Sequence, residues 1–464
     1  MPQPAPDETA RATTANQRWT LVATILGSSL AFVDATVVNV DIPSIARDLG
    51  GGAAGAQWTI AAYLLPLSAL VLVGGALGDR FGHRRMFVIG VACFAGASCG
   101  CGAAGSVTAL LVFRAAQGMA SALFVPASLA LLRTTFEGDA RGKAIGTWSA
   151  FGSVASAVGP LVGGWLVDQW SWRFAFFVNL PAALVTLAIT LRRVHEPANR
   201  RGRRIDAAGG AAAVVSLGAL TAALTLARGR PGLLAGLLVV SAAALAAFLS
   251  IERRTSEPMM PLDVWSSRMF ASINALTFVI YAALSLFMFI LPIRLIVAGG
   301  RSATVSAAAL LPFVVEMFVL SRWTGLWAST AGPRIPLTLG GALVAAGFAV
   351  LAATGSGDYW HGFLPGIALL GLGMAATVAP LTTAVMGALE DARAGLASGI
   401  NNAVARTAGL AGVSSVALIA GASTNRELAA AFPRIMAAAS VLAVCGAAIA
   451  AVFVRGGPPR ERRT

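Results

Sequence analysis

Long apolar stretches, most of them free of charged residues, recur along this chain and constrain its fold more than any other feature. A helix needs roughly 20 apolar residues to cross about 30 Å of hydrocarbon, because each residue advances it by about 1.5 Å. Only 12% of the 464 residues are charged, whereas soluble domains carry about 25%. We therefore predict about fourteen membrane-spanning segments, at 19–43, 57–78, 87–105, 108–132, 144–167, 173–191, 207–227, 232–251, 270–298, 303–321, 335–354, 360–386, 396–422 and 433–454.

These stretches are rich in Ala, Leu, Val and Gly, which favours helices. A helix satisfies its own backbone hydrogen bonds, and lipid offers no other partner for them. The short alternating pattern of an outer-membrane barrel does not occur in the sequence. The sequence thus predicts an all-α integral membrane protein whose solvent is the lipid bilayer.

The net charge of +14 is distributed unevenly between the two ends of the predicted helices. About 24 of the 34 Lys and Arg residues fall on the side that carries both termini, and about 8 fall on the opposite side. Such an excess marks cytoplasmic loops, so we expect a multi-pass protein of the plasma (inner) membrane with both termini in the cytoplasm. The basic run RRGRR at 200–204 has two explanations, a nucleic-acid or lipid patch and a loop that sets topology. The second fits better, and no nucleic-acid partner is expected.

Signals for an enzyme, a metal site or a cofactor are missing from the sequence. The four cysteines lie in apolar segments without metal or disulfide spacing. The three histidines (His83, His195 and His361) are scattered in predicted loops, and neither a nucleophile elbow nor a phosphate loop occurs. We expect no enzymatic activity, no cofactor and no metal. The first 18 residues are polar and rich in Pro and Ala, which argues against a cleavable signal peptide.

Three short echoes relate the two halves of the chain. GALGDRFGHR (75–84) is echoed by GLWASTAGPR (325–334), GMASALFVP (118–126) by GMAATVAP (373–380), and RGKAIG (141–146) by RAGLASG (393–399). Homologous bundles that flank a central site are a common transporter design. We therefore predict two six-helix bundles plus two extra central helices. The predicted parts are a cytoplasmic tail (1–18), an N-terminal bundle (19–192), a linker with the extra helices (193–268), a C-terminal bundle (269–454) and a second tail (455–464).

Several motifs, in sequence order, resemble the major facilitator superfamily and, within it, the fourteen-span drug/proton antiporter branch. They are FVDATVVNVDIP (32–43), GALGDRFGHR (75–84), LLVFRAAQGMASA (110–122), VGPLVGGWL (158–166), WSWRFAFFVNLP (170–181) and GLASGINNAVARTAG (395–409). The resemblance covers nearly the whole chain and implies the major-facilitator fold. It does not indicate a substrate.

The charged loop GALGDRFGHR is short, and its glycines let the backbone turn and the helices approach. Asp79 at the helix ends can accept hydrogen bonds from a helix N-terminus or pair with an arginine. The resemblance implies a conformational gate formed by Gly75, Asp79, Gly82 and Arg84. The alternative is a basic loop that only sets topology. His83 departs from the family pattern, which usually has Arg or Lys there.

Ionisable residues inside spans cost at least about 2.5–3.5 kcal/mol each near a helix centre, so each needs a reason. Asp34 lies in the first predicted span and Arg114 in the fourth. The resemblance implies that the acid binds a proton or a cation and that the arginine tunes its proton affinity. A nearby cation favours the ionised carboxylate and desolvation favours the neutral acid. A permanent structural ion pair is the alternative.

Five further polar residues lie within predicted spans, and all but Glu316 belong to one of the motifs. Glu316 is either a second proton or cation site or a structural acid. Arg406 either pairs with Glu316 or contacts an anionic group of a substrate, and Gln117 and Asn402 are candidate substrate or ion-pair residues. Asp41 stands where the branch usually has a small apolar residue, near the outer end of its predicted span, and an interfacial position is one explanation for it.

The fifth-span motif contains Gly159, Pro160, Gly163 and Gly164. A proline kinks a helix, and small residues four apart let a neighbouring helix approach closely. The resemblance implies that this packed seam limits leak and favours exchange over symport, and plain helix packing is compatible with that role. Ala155 stands where a glycine completes the family motif.

Together these features predict a proton-coupled secondary transporter that exports drugs or small amphipathic metabolites by alternating access. We expect a monomer with a small-molecule substrate and protons as its partners. A dedicated exporter of one metabolite is an open alternative. An uptake symporter is disfavoured by the fifth-span motif, and a membrane sensor that transports nothing is disfavoured because no large soluble domain is appended.

Overall fold

In a computed structural model of the chain, the described residues are 6–196, 206–226, 229–255, 258–355, 358–390, 393–422 and 424–454. The basic run at 200–204 and the predicted tail at 455–464 lie outside this part of the chain. The described part is almost entirely helical and contains no β-strand. This confirms the predicted all-α fold.

The described residues form 17 α-helices. They are α1 (Pro6–Leu49), α2 (Gly52–Phe81), α3 (His83–Gly102), α4 (Val107–Thr135), α5 (Gly138–Gln169), α6 (Phe174–Phe177), α7 (Asn179–Arg193), α8 (Ala207–Leu226), α9 (Pro231–Arg254), α10 (Arg268–Ile293), α11 (Ala303–Ala308), α12 (Leu311–Ala331), α13 (Arg334–Thr354), α14 (Leu364–Gly387), α15 (Ala394–Ala420), α16 (Asn425–Ala430) and α17 (Phe432–Phe453). A short 3₁₀ helix precedes α10, and π-helical turns follow α10 and precede α14.

Fourteen helical segments of the described chain are long and apolar enough to cross a membrane, which confirms the predicted number. Two of these spans are interrupted. The sixth combines α6 and α7, and the tenth combines α11 and most of α12. Each predicted apolar stretch coincides with one of the fourteen segments, because a helix is the element that satisfies its backbone within lipid.

Helices α1 to α7 pack together into the N-terminal half. The aromatic rings of Phe87 and Phe94 pack edge-on against Phe124 in its core. Small residues bring α2 and α4 into close approach: a Cβ added at Gly118 would collide with the backbone carbonyl of Tyr63. Without a hydrophobic driving force between helices in lipid, such close packing holds the bundle together.

Helices α10 to α17 form the C-terminal half in the same way. Here α13 packs on α14 and α17, while α10 packs on α15 and α17. A Cβ at Gly373 of α14 would collide with Val344 of α13. The core is built from fully buried rings, among them Phe270, Phe287, Phe348 and Phe432.

The seventh and eighth spans, α8 and α9, occupy a separate position. Helix α8 packs on α2 of the N-terminal half and on α15 of the C-terminal half, and α9 packs on α8. The hydroxyls of Ser216 and Ser241 donate to each other's backbone carbonyls at 3.0 and 2.9 Å, which joins the two helices. Helix α9 is the most exposed span, with 11% of its apolar window buried.

Candidate functional site

A cluster of buried polar side chains lies in the middle of the N-terminal half. The carboxylate of Asp34 (α1) accepts hydrogen bonds from Arg114 Nη1 at 2.5 Å, Gln117 Nε2 at 3.1 Å and Asn179 Nδ2 at 3.2 Å. Gln117 also donates to Ser98 Oγ at 2.7 Å and accepts from Arg114 at 2.9 Å. All five side chains are at most 2% exposed. The structure thus brings together three predicted site residues, Asp34, Arg114 and Gln117.

Arg114 is held by more than its carboxylate partner. Its Nε donates to the backbone carbonyl of Thr59 at 3.1 Å. Its guanidinium lies 4.5 Å from the ring centroid of Tyr63 and 5.7 Å from that of Phe176, within the range of cation–π attraction. A buried charge needs such partners, because lipid and protein interior do not solvate it. The cluster is therefore an anion and a cation kept inside the bundle by a polar shell.

Two members of this shell, Ser98 and Asn179, were not predicted as site residues. Asn179 begins α7 and lies inside the sequence WSWRFAFFVNLP, so an amide in an otherwise apolar span was the available signal. Ser98 is a small hydroxyl on α3 that no sequence pattern distinguishes. Both became visible only when the fold placed them against Asp34 and Gln117.

Asp41 lies seven residues beyond Asp34 on the same helix. It is fully buried, and neither of its carboxylate oxygens has a hydrogen-bond partner among the residues that the structure describes. Asp41 is therefore enclosed by protein and not exposed at the outer end of its span. Its carboxylate faces Gly163 of α5, where an added Cβ would lie 3.4 Å from Oδ1.

We refer to the membrane side that carries the loop between α2 and α3 as the loop side. The side on which α5 ends is the seam side. On the seam side, Asp168 of α5 accepts hydrogen bonds from the backbone N–H groups of Ala303 and Thr304 at 3.0 and 2.8 Å. It also accepts one from the Thr304 hydroxyl at 2.6 Å. A carboxylate of the N-terminal half thus caps the first turn of α11 in the C-terminal half.

The glycines of the fifth-span motif divide between two neighbours. A Cβ at Gly159 or Gly163 would collide with α1, whereas a Cβ at Gly164 would lie 2.7 Å from the carbonyl oxygen of Ala303 in the other half. Pro160 is buried between them inside α5. The motif therefore packs within one bundle and also against the other bundle, as its small residues predict.

A second hydrogen bond crosses the halves on the seam side. Gln57 Nε2 at the start of α2 donates to the carbonyl of Val413 in α15 at 2.9 Å. Nearer the loop side, α5 and α12 expose large apolar side chains. They are Phe151 and Val154 of α5 and Trp323 and Trp327 of α12. The described structure is therefore closed on the seam side.

The loop between α2 and α3 is tied to the end of α7. The Glu196 carboxylate accepts hydrogen bonds from the N–H groups of Arg84 (3.3 Å) and Arg85 (3.1 Å), which caps α3. In return, the Arg84 guanidinium donates to the last carbonyls of α7, those of Thr190 (3.3 Å) and Leu191 (2.9 Å). The start of α3 thus gains a negatively charged partner and the end of α7 a positively charged one, as the helix dipoles favour.

The other predicted gate residues share this loop with one exception. Asp79 lies 3.4 Å from His83 Nε2. Gly82 has a φ of 102°, which favours glycine, and a Cβ there would collide with the Glu196 carboxylate. Gly75 lies further back along α2, where a Cβ would have nothing within 4 Å.

The predicted residues of the C-terminal half do not join the buried cluster. Glu316 of α12 faces Gly371 of α14, and its Oε2 is buried without a hydrogen bond. Arg406 of α15 lies within electrostatic range of Tyr63 in the other half, and no ion pair joins it to Glu316 within the described chain. Asn402 is exposed and donates to the Ser398 carbonyl of its own helix at 3.0 Å.

Comparison with known proteins relates this chain to a protein family. The model of the family described as the Major Facilitator Superfamily matches residues 24–413. The chain is 35% identical over 417 residues to the multidrug resistance protein Stp of Mycobacterium tuberculosis, which covers 86% of this chain and 76% of that protein. It is 33% identical to the tetracenomycin C resistance and export protein of Streptomyces glaucescens, with 86% and 75% covered. Among solved structures, a peptide transporter POT in complex with sulfate covers 94% of each chain at 16% identity, with a TM-score of 0.68. That likeness concerns the fold alone.

Proposed function

The chain belongs to the Major Facilitator Superfamily, and from this premise we propose that it is a proton-coupled exporter of drugs or small amphipathic metabolites. The proposal is carried by one observation, a buried acid–base cluster at Asp34 and Arg114 within a bundle that is closed on one membrane side. The relatives named for multidrug resistance and for resistance and export support the direction of transport.

Alternating access needs two contacts that exchange, one on each membrane side. On the seam side the contact is the Asp168 cap on α11 together with the close approach of Gly164 to Ala303. On the loop side we assign the corresponding contact between the halves to the loop of Asp79, Gly82 and Arg84. In the seam-closed state this loop makes its contacts within the N-terminal half. Gly75 belongs to the same motif by resemblance.

The cluster supplies a means of coupling. In its ionised form Asp34 binds Arg114 across α1 and α4. Addition of a proton to that carboxylate removes the charge attraction, and Arg114 then keeps only neutral acceptors, the Thr59 carbonyl and Gln117 Oε1. Protonation of Asp34 therefore changes the free-energy difference between two arrangements of α1 against α4. Glu316, Gln117, Asn402 and Arg406 are the further candidates for proton or substrate contact.

The membrane arrangement follows from the charge distribution. The loop side carries most of the basic residues, so we assign it to the cytoplasm of a plasma-membrane protein with both termini inside. A substrate then enters the seam-closed state from the cytoplasm and leaves when the seam opens. We retain the division into two six-helix bundles and two inserted spans and propose a monomeric, non-enzymatic transporter.

A drug-susceptibility panel tests this function. The gene is expressed in a bacterial host that lacks its own major drug exporters, and growth inhibition is measured for a set of unrelated cationic, neutral and zwitterionic antibiotics. Export predicts lower susceptibility to several of them, and an Asp34→Asn variant present in the membrane at the same level should lose this effect. Protection against a single compound would favour the dedicated exporter. Unchanged susceptibility and unchanged cellular accumulation across the panel would contradict export.

A further inference from the structure

Asp41 is a buried acid that takes no part in the cluster of Asp34 and Arg114. Its side chain is fully buried in α1, and both carboxylate oxygens lack a hydrogen bond. An ionised carboxylate taken out of water costs far more than a neutral acid, and in practice such a group becomes neutral. Asp34, on the same helix, avoids this cost by binding three donors. Asp41 has no such shell.

Asp41 has no counterion of its own. None of the ion pairs within the described chain includes its carboxylate. Arg114 is already engaged by Asp34 at 2.5 Å, and Asp34 itself repels a second negative charge. A second buried carboxyl group beside an ion pair that is already balanced has no positive partner, which favours its neutral, proton-bearing form. The group without donors is Asp41.

The position of Asp41 connects this proton with the seam. It lies seven residues beyond Asp34, two turns and about 10 Å nearer the seam side at 1.5 Å per residue. Its carboxylate faces Gly163 of α5, and the adjacent Gly164 packs on Ala303 of the other half. When α5 and α11 separate, the contact between Gly164 and Ala303 is lost. Water from the seam side then reaches the Asp41 carboxyl before it reaches Asp34.

We propose that Asp41 is a second proton-binding site of this protein, loaded from the seam side. The proposal rests on the proposed export function and specifies its proton pathway. A proton from seam-side water forms an O–H bond with the carboxylate while the seam is open. The same bond breaks when the proton returns to water or passes to the Asp34 carboxylate, so no other reactant is needed.

An organic cation is the other ligand that a lone carboxylate attracts. The geometry favours the proton, because Asp41 is fully buried and even a methyl group added at Gly163 would lie 3.4 Å from Oδ1, in van der Waals contact. This gap admits no ammonium or aromatic group while the seam is closed. A proton needs no such space.

Infrared spectroscopy of the purified full-length protein in detergent tests the proposal without any substrate. A carboxylic acid that keeps its proton at neutral pH has a C=O stretching band that an ionised carboxylate lacks. Because Glu316 also has a buried carboxylate oxygen without a hydrogen bond, all variants carry Glu316→Gln. In this background we expect the band in the parent protein, its loss in Asp41→Asn, and its retention in Asp34→Asn. Asp48→Asn is the matched control, since Asp48 lies on the same helix but is about half exposed and paired with Arg173. It should leave the band unchanged.

Two results would overturn the proposal, namely a band that survives in Asp41→Asn and a parent protein with no neutral-acid band. If Asp41→Asn is not recovered from membranes, Asp41→Glu decides instead, because a glutamic acid at this position must shift the band in frequency and an unshifted band would exclude it. A variant that keeps the band but loses protection against one cationic antibiotic would assign Asp41 to cation recognition. The susceptibility panel is independent of the band, so failure of export and failure of this proton site are distinguishable.

Discussion

Arg114 of α4 and Asp34 of α1 form an ion pair of 2.5 Å in which both side chains are buried. Buried pairs of this kind add little net stability, yet removal of one partner costs about 3–5 kcal/mol because the other charge is left behind. In every state through which α1 and α4 pass, Asp34 must therefore either stay paired with Arg114 or bind a proton.

The first prediction concerns the stability of this pair. Arg114→Ala should lower the free energy of unfolding by about 3–5 kcal/mol, because Asp34 then keeps only the amides of Gln117 and Asn179. The double variant Asp34→Asn/Arg114→Ala should recover part of the loss. Thermal unfolding of the purified proteins gives the coupling energy as a double-mutant cycle. Asp48→Asn, at an exposed pair, is the control and should change stability far less than Arg114→Ala does.

The second prediction concerns coupling. Asp34→Asn should abolish substrate accumulation in inside-out vesicles under an imposed proton gradient, since the amide keeps the shape of the carboxyl group but binds no proton. Binding of an uncharged substrate should survive. Glu316→Gln is the comparison, because Glu316 is a second partly buried acid that lies in the other half. Full gradient-driven uptake by Asp34→Asn would refute the assignment, and loss in Glu316→Gln alone would move the proton site to the C-terminal half.

The third prediction concerns the seam. Asp168→Asn should populate the seam-open state at least about tenfold more, because each hydrogen bond to a charged group contributes about 1.5–3 kcal/mol and about 1.4 kcal/mol corresponds to a factor of ten. Spin labels at Gln169 and Val305, both exposed, should report a longer distance. Thr304→Val removes only the hydroxyl donor and should have a smaller effect. Equal distances in Asp168→Asn and the wild type would show that the Asp168 cap on α11 does not hold the seam closed.

The fourth prediction compares two glycines. Gly164→Ala should prevent full closure of the seam, because its methyl group would lie 2.7 Å from the Ala303 carbonyl oxygen. Gly75→Ala should leave the seam-closed packing intact, because a methyl group there has nothing within 4 Å. The same pair of spin labels distinguishes them. If the two variants gave the same distance distribution, the close approach at Gly164 would not control the seam.

The fifth prediction concerns the loop. Asp79→Asn should reach the membrane but transport slowly with unchanged substrate affinity, because it removes a contact of one state rather than a binding group. Arg84→Lys should be nearly as damaging as Arg84→Ala, since one ammonium cannot reproduce the planar fork that reaches both Thr190 and Leu191. Turnover and affinity are measured separately in reconstituted vesicles. Wild-type turnover in Asp79→Asn would rule out the gate.

Much of the fold was predictable because lipid leaves a chain few choices. The apolar stretches had to become helices, and Asp34 and Arg114 had to find partners inside the bundle because isolated charges are too costly there. Their side chains do meet. The cost of burial, rather than any local pattern, made this pair visible in the sequence.

Other relationships depend on how helices face one another, which the sequence does not encode locally. Asp168 looks like an ordinary acid at the end of a span until α11 of the other half meets it. The apolar stretch ends at residue 43 and puts Asp41 near the end of its predicted span, but α1 continues to Leu49 and the Asp41 side chain is buried. One of the two alternatives for Arg406, a pair with Glu316, does not occur within the described chain, and Glu316 instead faces Gly371 of α14.

The position of α8 has a consequence for the route of a lipophilic compound. This helix covers the junction between α2 and α15, with Gly218 against Leu65 and Gly210 against Val73. A molecule dissolved in the surrounding bilayer therefore meets a wall on that flank of the transporter. In the described chain the flank between α5 and α12 has no inserted helix, so under the proposed function we expect a lipophilic substrate to enter on that flank.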